Sequence, residues 1–176
     1  MITDKIYLVG FMASGKSTIG RALAARLHWE SEDIDDLIER RERRTIADIF
    51  AKQGESYFRS VERDILKLIL PIRHLIVATG GGTFADPENR AAINFDGVSV
   101  WIDVPLPDLI QRIPLDGRRP LAASRADLER LYAARTDTYR LAHLRVNVSR
   151  APVPAVVDRI IDALNQLPPA FDRSGG

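Results

Sequence analysis

One octapeptide restricts this chain more than any other feature. Gly10-Phe11-Met12-Ala13-Ser14-Gly15-Lys16-Ser17 fits the pattern G-x-x-x-x-G-K-[ST]. The flanks fit as well. Ile6-Tyr7-Leu8-Val9 ahead of it reads as a short buried strand, and Ile19, Leu23 and Leu27 behind it share one helical face. A strand, a glycine-containing turn and a helix in that order make backbone N–H groups converge on an anion at a helix N-terminus. The motif therefore assigns nucleotide phosphates to Gly10, Met12, Ala13, Ser14, Gly15, Lys16, Ser17 and Thr18. Lys16 supplies a point charge near the β- and γ-phosphates, and Ser17 is the expected Mg²⁺ ligand. Three fixed positions in eight recur by chance, but seldom in this context. The motif says nothing about what receives the phosphate.

The rest of the chain alternates strands with helices. Apolar strands are expected at Ile6-Tyr7-Leu8-Val9, around Ile34, at Leu75-Ile76-Val77-Ala78, at Val98-Ser99-Val100-Trp101-Ile102 and at Arg145-Val146-Asn147-Val148. Between them, helical spacing covers residues 36–43, 46–52, 57–70, 107–113, 127–140 and 155–164. In the third of these, Phe58, Val61, Ile65 and Leu68 are expected on one face. Asp86-Pro87-Glu88 is a helix start: a capping carboxylate, then proline at the first helical position. Trp101 is expected in the core. The alternation predicts a three-layer α/β fold, a mostly parallel sheet flanked by helices. A single domain over residues 1–167 is expected, with a disordered tail at 168–176 rich in small and polar residues.

Charge and composition narrow the partners. A net charge of +1 offers no global attraction to nucleic acid or membrane, so anion binding must come from local clusters. The run Arg40-Arg41-Glu42-Arg43-Arg44 is interrupted by Glu42 and reads as a solvated helix face. There is no cysteine, which removes disulfides, thiolate metal sites and cysteine nucleophiles. His28, His74 and His143 are too dispersed to form a metal site. The first residues run straight into a strand, leaving no room for a signal peptide, and a cytoplasmic protein is expected.

Three further groups carry chemistry. Asp33-Ile34-Asp35, read as extended backbone, would place both carboxylates on one face of one cleft. One would then hold Mg²⁺ through water and the other accept a proton from a hydroxyl, unless Asp35 or Asp36 merely caps the next helix. Gly80-Gly81-Gly82 after a buried strand implies close approach of backbone to a ligand, or else a loose turn. Arg135 falls on the apolar stripe begun by Leu128, where an arginine calls for an anionic partner. Arg59 either faces the cleft or forms an ordinary surface ion pair with Glu62. Arg118-Arg119-Pro120, within the Pro-, Gly- and Arg-rich stretch 114–124, has the makings of a lid that brings positive charge to a transferring phosphoryl group.

Taken in order, these pieces resemble the shikimate kinase family from Lys5 to about Leu164. The likeness includes Gly15-Lys16-Ser17-Thr18-Ile19-Gly20-Arg21, the Asp33/Asp35 pair, Ile46-Ala47-Asp48-Ile49-Phe50, and Gly54-Glu55 with Phe58-Arg59 and Glu62. It continues through the triple glycine, Arg119-Pro120-Leu121, and Arg135 with Tyr139. The resemblance implies a P-loop kinase fold and transfer from ATP to shikimate, with Mg²⁺, in aromatic amino-acid biosynthesis. By position it implies Asp33 on Mg²⁺ through water, and Asp35 on the acceptor hydroxyls and as base. It places Arg59, Arg135, Gly80, Gly81 and Gly82 on shikimate, Lys16 and Arg119 on the transferring phosphate, and Arg112 against adenine. The implied partners are ATP and shikimate, with the chain a monomer. Three positions depart from the family pattern: Ala13 where glycine is usual, Arg43-Arg44 after the second helix, and Asp137 where proline is usual. The last lets the helix bearing Arg135 continue. Two other readings compete, a related kinase for a sugar acid or nucleoside monophosphate and a nucleotide-binding domain without turnover. No N-K-x-D motif supports a GTPase.

Overall fold

The computed structural model describes residues 3–113 and 124–168. At its centre lies a five-stranded sheet built from β1 (Lys5–Val9), β2 (Glu30–Asp33), β3 (Leu75–Ala78), β4 (Val98–Asp103) and β5 (Leu144–Asn147), in the order β2-β3-β1-β4-β5. All four pairings are parallel, with Ile6 opposite Ile76 and Val98 at the centre of the register. β1, β3 and β4 are buried along their whole length, which is why they read as apolar runs: helices cover both faces of a parallel sheet. Trp101 is in the core, as expected.

The edge strand differs from expectation. No strand passes through Ile34: β2 ends at Asp33, and Ile34 opens helix α2 (Ile34–Glu42). A half-exposed edge with the sequence Glu-Ser-Glu-Asp has no apolar run to detect. Ile34 is buried because it starts a helix.

Helix α1 (Lys16–Leu27) joins β1 to β2 and packs with α7 (Val153–Asn165) on one face. Right-handed crossovers place α4 (Pro87–Asp96), which joins β3 to β4, on the other. The connections after β1 and β3 thus leave neighbouring strands in opposite directions, opening a crevice at their C-terminal ends. In α4 the Asp86 carboxylate accepts from the N–H groups of Glu88 and Asn89, with Pro87 first in the helix. Helix α5 (Leu106–Ile110) is short, and α6 (Arg125–Tyr139) runs past Asp137 as the missing proline implied.

The two helices expected at 46–52 and 57–70 form one element, α3 (Ile46–Ile69), interrupted at Gly54, whose φ of 81° and ψ of 174° leave the helical region. Only glycine adopts that conformation without strain. Its apolar face is Phe58, Val61, Ile65, Leu66 and Ile69, while Leu68 is exposed. Eleven residues make three turns and bring Ile69 under Phe58; ten do not.

At the N-terminal ends of the strands sits a buried charge cluster. Lys5 is fully buried and donates to the carbonyls of Ile69 and Leu70 at the C-terminus of α3. It also pairs with Asp96 at 2.9 Å, and Asp96 accepts from Tyr7 Oη and Arg73. A cation on the last carbonyls of one helix and the last residue of another ties both to β1.

Candidate active site

The phosphate loop links β1 to α1 at the crevice. Lys16 is buried, and its Nζ donates to the carbonyl of Gly10 at 3.0 Å, that of Phe11 at 2.8 Å and Ser14 Oγ at 3.3 Å. The loop therefore closes around its own ammonium group. Ala13, a position named above as departing from the expected glycine, takes a left-handed φ of 59°. That conformation costs a non-glycine residue on the order of 1 kcal/mol. Ser14 is buried, and Thr18 is exposed in the first turn of α1.

Ser17 Oγ donates to Asp33 Oδ2 at 2.5 Å, and the other oxygen of Asp33 accepts from the N–H of Asp35 at 2.9 Å. Asp33 is thus the cap of α2, a role expected of Asp35 or Asp36. Ser17 and Asp33 line a polar cavity of about 620 Å³ with Arg21, Asp36 and Glu39 among its walls. A hydroxyl and a carboxylate side by side form an oxygen-only pair suited to a hard divalent cation.

Asp35 does not share that cavity, which corrects the expectation of one cleft. The backbone passes from strand to helix between the two aspartates, so the alternation of extended chain does not apply. Asp35 instead lines a second cavity, of about 110 Å³, with Met12, Arg59, Glu62, Gly80, Gly81, Gly82 and Arg135.

In this cavity each glycine of the triplet makes room for a particular neighbour. A Cβ on Gly80 would lie 2.8 Å from Asp35 Oδ1 and 3.1 Å from Glu62 Oε1. On Gly81 it would lie 3.1 Å from Arg135 Nη1 and 3.3 Å from the N–H nitrogen of Met12 in the phosphate loop. On Gly82 it would lie 2.5 Å from Arg59 Nη2. Any side chain at these positions would displace a charged group of the site.

Arg135 is buried, lies 5.9 Å from the Phe11 ring and has no carboxylate partner among the described residues. Tyr139, one turn on, donates from its hydroxyl to the Gly81 carbonyl at 2.5 Å. Burial pushes that phenol up to about 12 against the opposing pull of the Arg135 charge, so it remains a donor at neutral pH. Arg59 is held differently. Its Nη1 donates to Glu62 at 2.9 Å, and its Nε and Nη2 donate to Glu55 at 3.3 and 3.1 Å. Burial alone would lower its pKa, but the Glu62 and Glu55 carboxylates more than offset this and raise it.

Glu62 has no exposed surface, so its pair with Arg59 is not the surface contact that helical spacing allows. Breaking a buried pair from one side strands the other charge. Glu62→Ala should therefore lower unfolding free energy by about 3 kcal/mol, read from urea denaturation. A change under about 1 kcal/mol would mean that Arg59 finds water instead.

Arg112 lies exposed just after α5, outside both cavities. Arg118, Arg119 and the lid stretch up to residue 123 fall outside the described residues, as do residues 169–176 of the expected tail. Three contributors escaped the sequence reading: the Thr83 hydroxyl, the second carboxylate of Glu55 on Arg59, and the hold of Tyr139 on Gly81. For Thr83 the one available signal was a hydroxyl directly after the three glycines.

Comparisons with known proteins place nearly the whole chain in one family. The family model described as Shikimate kinase matches residues 12–165. A shikimate kinase of Sulfurihydrogenibium sp. is 40% identical over 162 residues, covering 92% of this chain and 98% of its own length. Among solved structures, the shikimate kinase of Acinetobacter baumannii in complex with shikimate superposes with a TM-score of 0.89 at 34% identity, over 94% of this chain and 96% of that one. The shikimate kinase of Aquifex aeolicus gives 0.82 at 34% identity, over 92% and 96%.

Proposed function

The chain belongs to the shikimate kinase family, and from that premise we propose how its own residues carry a phosphoryl group from ATP to shikimate. The reaction is ATP plus shikimate to ADP plus shikimate 3-phosphate, a step of aromatic amino-acid biosynthesis. The observation that most supports the residue assignment is a small cavity holding Asp35 and Arg135, the latter with no carboxylate partner among the described residues, and bordered by Met12 of the phosphate loop.

In this reading the loop from Gly10 to Thr18 binds the ATP phosphates, with Arg112 against the adenine. Ser17 and Asp33, the latter through water, would hold Mg²⁺, which supplies positive charge to the phosphate oxygens when bound with ATP. Shikimate lies against Gly80, Gly81 and Gly82, its carboxylate meeting Arg135 and Arg59. Asp35 takes the proton of the attacking hydroxyl as that oxygen bonds to the γ-phosphorus and the bond to ADP breaks. Lys16 and Arg119 stabilise the charge of the transferring group. We also propose action as a cytoplasmic monomer, since the residues lining both cavities come from one chain; sedimentation in solution as a single species of 19.7 kDa is the expected hydrodynamic result.

A coupled ADP-release assay with shikimate, quinate, gluconate and nucleoside monophosphates in parallel tests the acceptor. Turnover on a nucleotide and not on shikimate would overturn the reading. Within it, Arg135→Ala should raise KM for shikimate by roughly tenfold or more and leave the ATP KM unchanged, because a hydrogen bond to a charged group contributes about 1.5–3 kcal/mol. On an analogue with a neutral hydroxymethyl group in place of the carboxylate, the same substitution should cost little further. Equal losses on both acceptors would show that Arg135 does not read the carboxylate.

A further inference from the structure

We infer that Thr83 is a positioning residue for acceptor recognition, its hydroxyl setting how many donors Arg59 keeps for the substrate carboxylate. The inference rests on the reading above that Arg59 meets that carboxylate. Thr83 opens the 3-10 turn Thr83–Ala85 directly after the glycines and is fully buried, its N–H bonded to the Gly80 carbonyl at 3.2 Å. Its Oγ1 donates to Glu62 Oε1 at 2.6 Å, while Glu62 Oε2 accepts from Arg59 Nη1 at 2.9 Å. Each oxygen of this fully buried carboxylate therefore has its own donor.

A guanidinium carries five N–H groups. Arg59 spends one Nη1 donor on Glu62, and its Nε donor and one Nη2 donor on Glu55. One N–H is left on each terminal nitrogen, two donors available to the carboxylate of a substrate. A buried carboxylate oxygen deprived of its donor seeks another. Without the Thr83 hydroxyl, the donor still bonded to Glu62 among the described residues is Arg59. A second bond there removes half of the pair left for the acceptor. Thr83 keeps Glu62 on a single bond, and being neutral does so without altering the charge of the site.

Thr83→Val preserves the shape and deletes the hydroxyl, whereas Thr83→Ser preserves the hydroxyl. The valine variant should raise KM for shikimate about five- to tenfold, with kcat within about twofold of wild type and the ATP KM unchanged. Serine should restore the wild-type KM, and on the neutral hydroxymethyl analogue valine should have no effect. If the valine protein is recovered poorly, Thr83→Ala is put through the same assays and through calorimetric titration with shikimate. The inference is overturned by an unchanged KM, by equal losses on both acceptors, or by a serine variant that behaves like valine. If Arg135→Ala shows its carboxylate-specific loss and Thr83→Val is silent, only this inference falls. If wild-type protein does not use shikimate, the acceptor assignment falls with it.

Discussion

Lys16→Ala should reduce kcat by at least about 10²-fold, with a larger effect on turnover than on the KM for ATP. The ammonium group sits in the concave side of the phosphate loop, buried and within 3.3 Å of three loop oxygens. On the proposed reading, nucleotide binding would exchange those neutral oxygen partners for phosphate oxygens, whose charge shifts as transfer proceeds. A fixed cation in a water-poor site stabilises that charge without reorganisation, which is why losing one donor or charge of this kind is worth about 3–4 kcal/mol. Loss of the three internal bonds also loosens the loop, so circular dichroism and a thermal melt should accompany the kinetics. A folded variant with near-normal turnover would remove Lys16 from the mechanism.

Asp35→Asn should have an effect of the same order, a fall in kcat of about 10²- to 10³-fold, because a positioned base contributes 10²–10⁴ in such steps. Asparagine retains the size of the side chain where it packs against Gly80 and can still bond a hydroxyl, but it loses the negative charge and with it the proton acceptor. The shikimate KM should therefore change little. Asp35→Ala would open space beside the glycine and confuse lost chemistry with lost binding. If asparagine costs less than about tenfold in kcat, the carboxylate orients the hydroxyl and the proton leaves by another route.

The phosphate loop, the three central strands and the capping of α4 were legible because each is written in contiguous residues with a single physical meaning. The edge strand β2 was not: Glu30-Ser31-Glu32-Asp33 is half exposed and carries no apolar signal. Misplacing that strand propagated to the aspartates, since whether two residues share a face depends on whether the chain between them is strand or helix. Arg135 was found because an arginine on an apolar stripe violates the pattern around it. Arg59 was named, but its surroundings were underestimated. That Glu62 is fully buried depends on Thr83 and Gly80 arriving from β3, a tertiary fact that helical spacing cannot carry. The triple glycine was read as backbone approaching a ligand. The structure adds that its hydrogens are where Asp35, Glu62, Arg135 and Arg59 fit.

The Lys5 cluster has a consequence for how such a protein tolerates change. Lys5, Tyr7 and Asp96 lock the N-terminal ends of the strands, while the phosphate loop, the aspartates and the glycines occupy the C-terminal ends. One cluster that ties helices to the sheet thereby lies at the pole opposite the site. A lineage under heat stress can repack the lower pole without touching the groups that select the acceptor. Acceptor preference can drift at the upper pole while the lower one keeps the chain folded. Directed evolution of this scaffold therefore has two separate libraries to draw on, and gains from one should add to gains from the other.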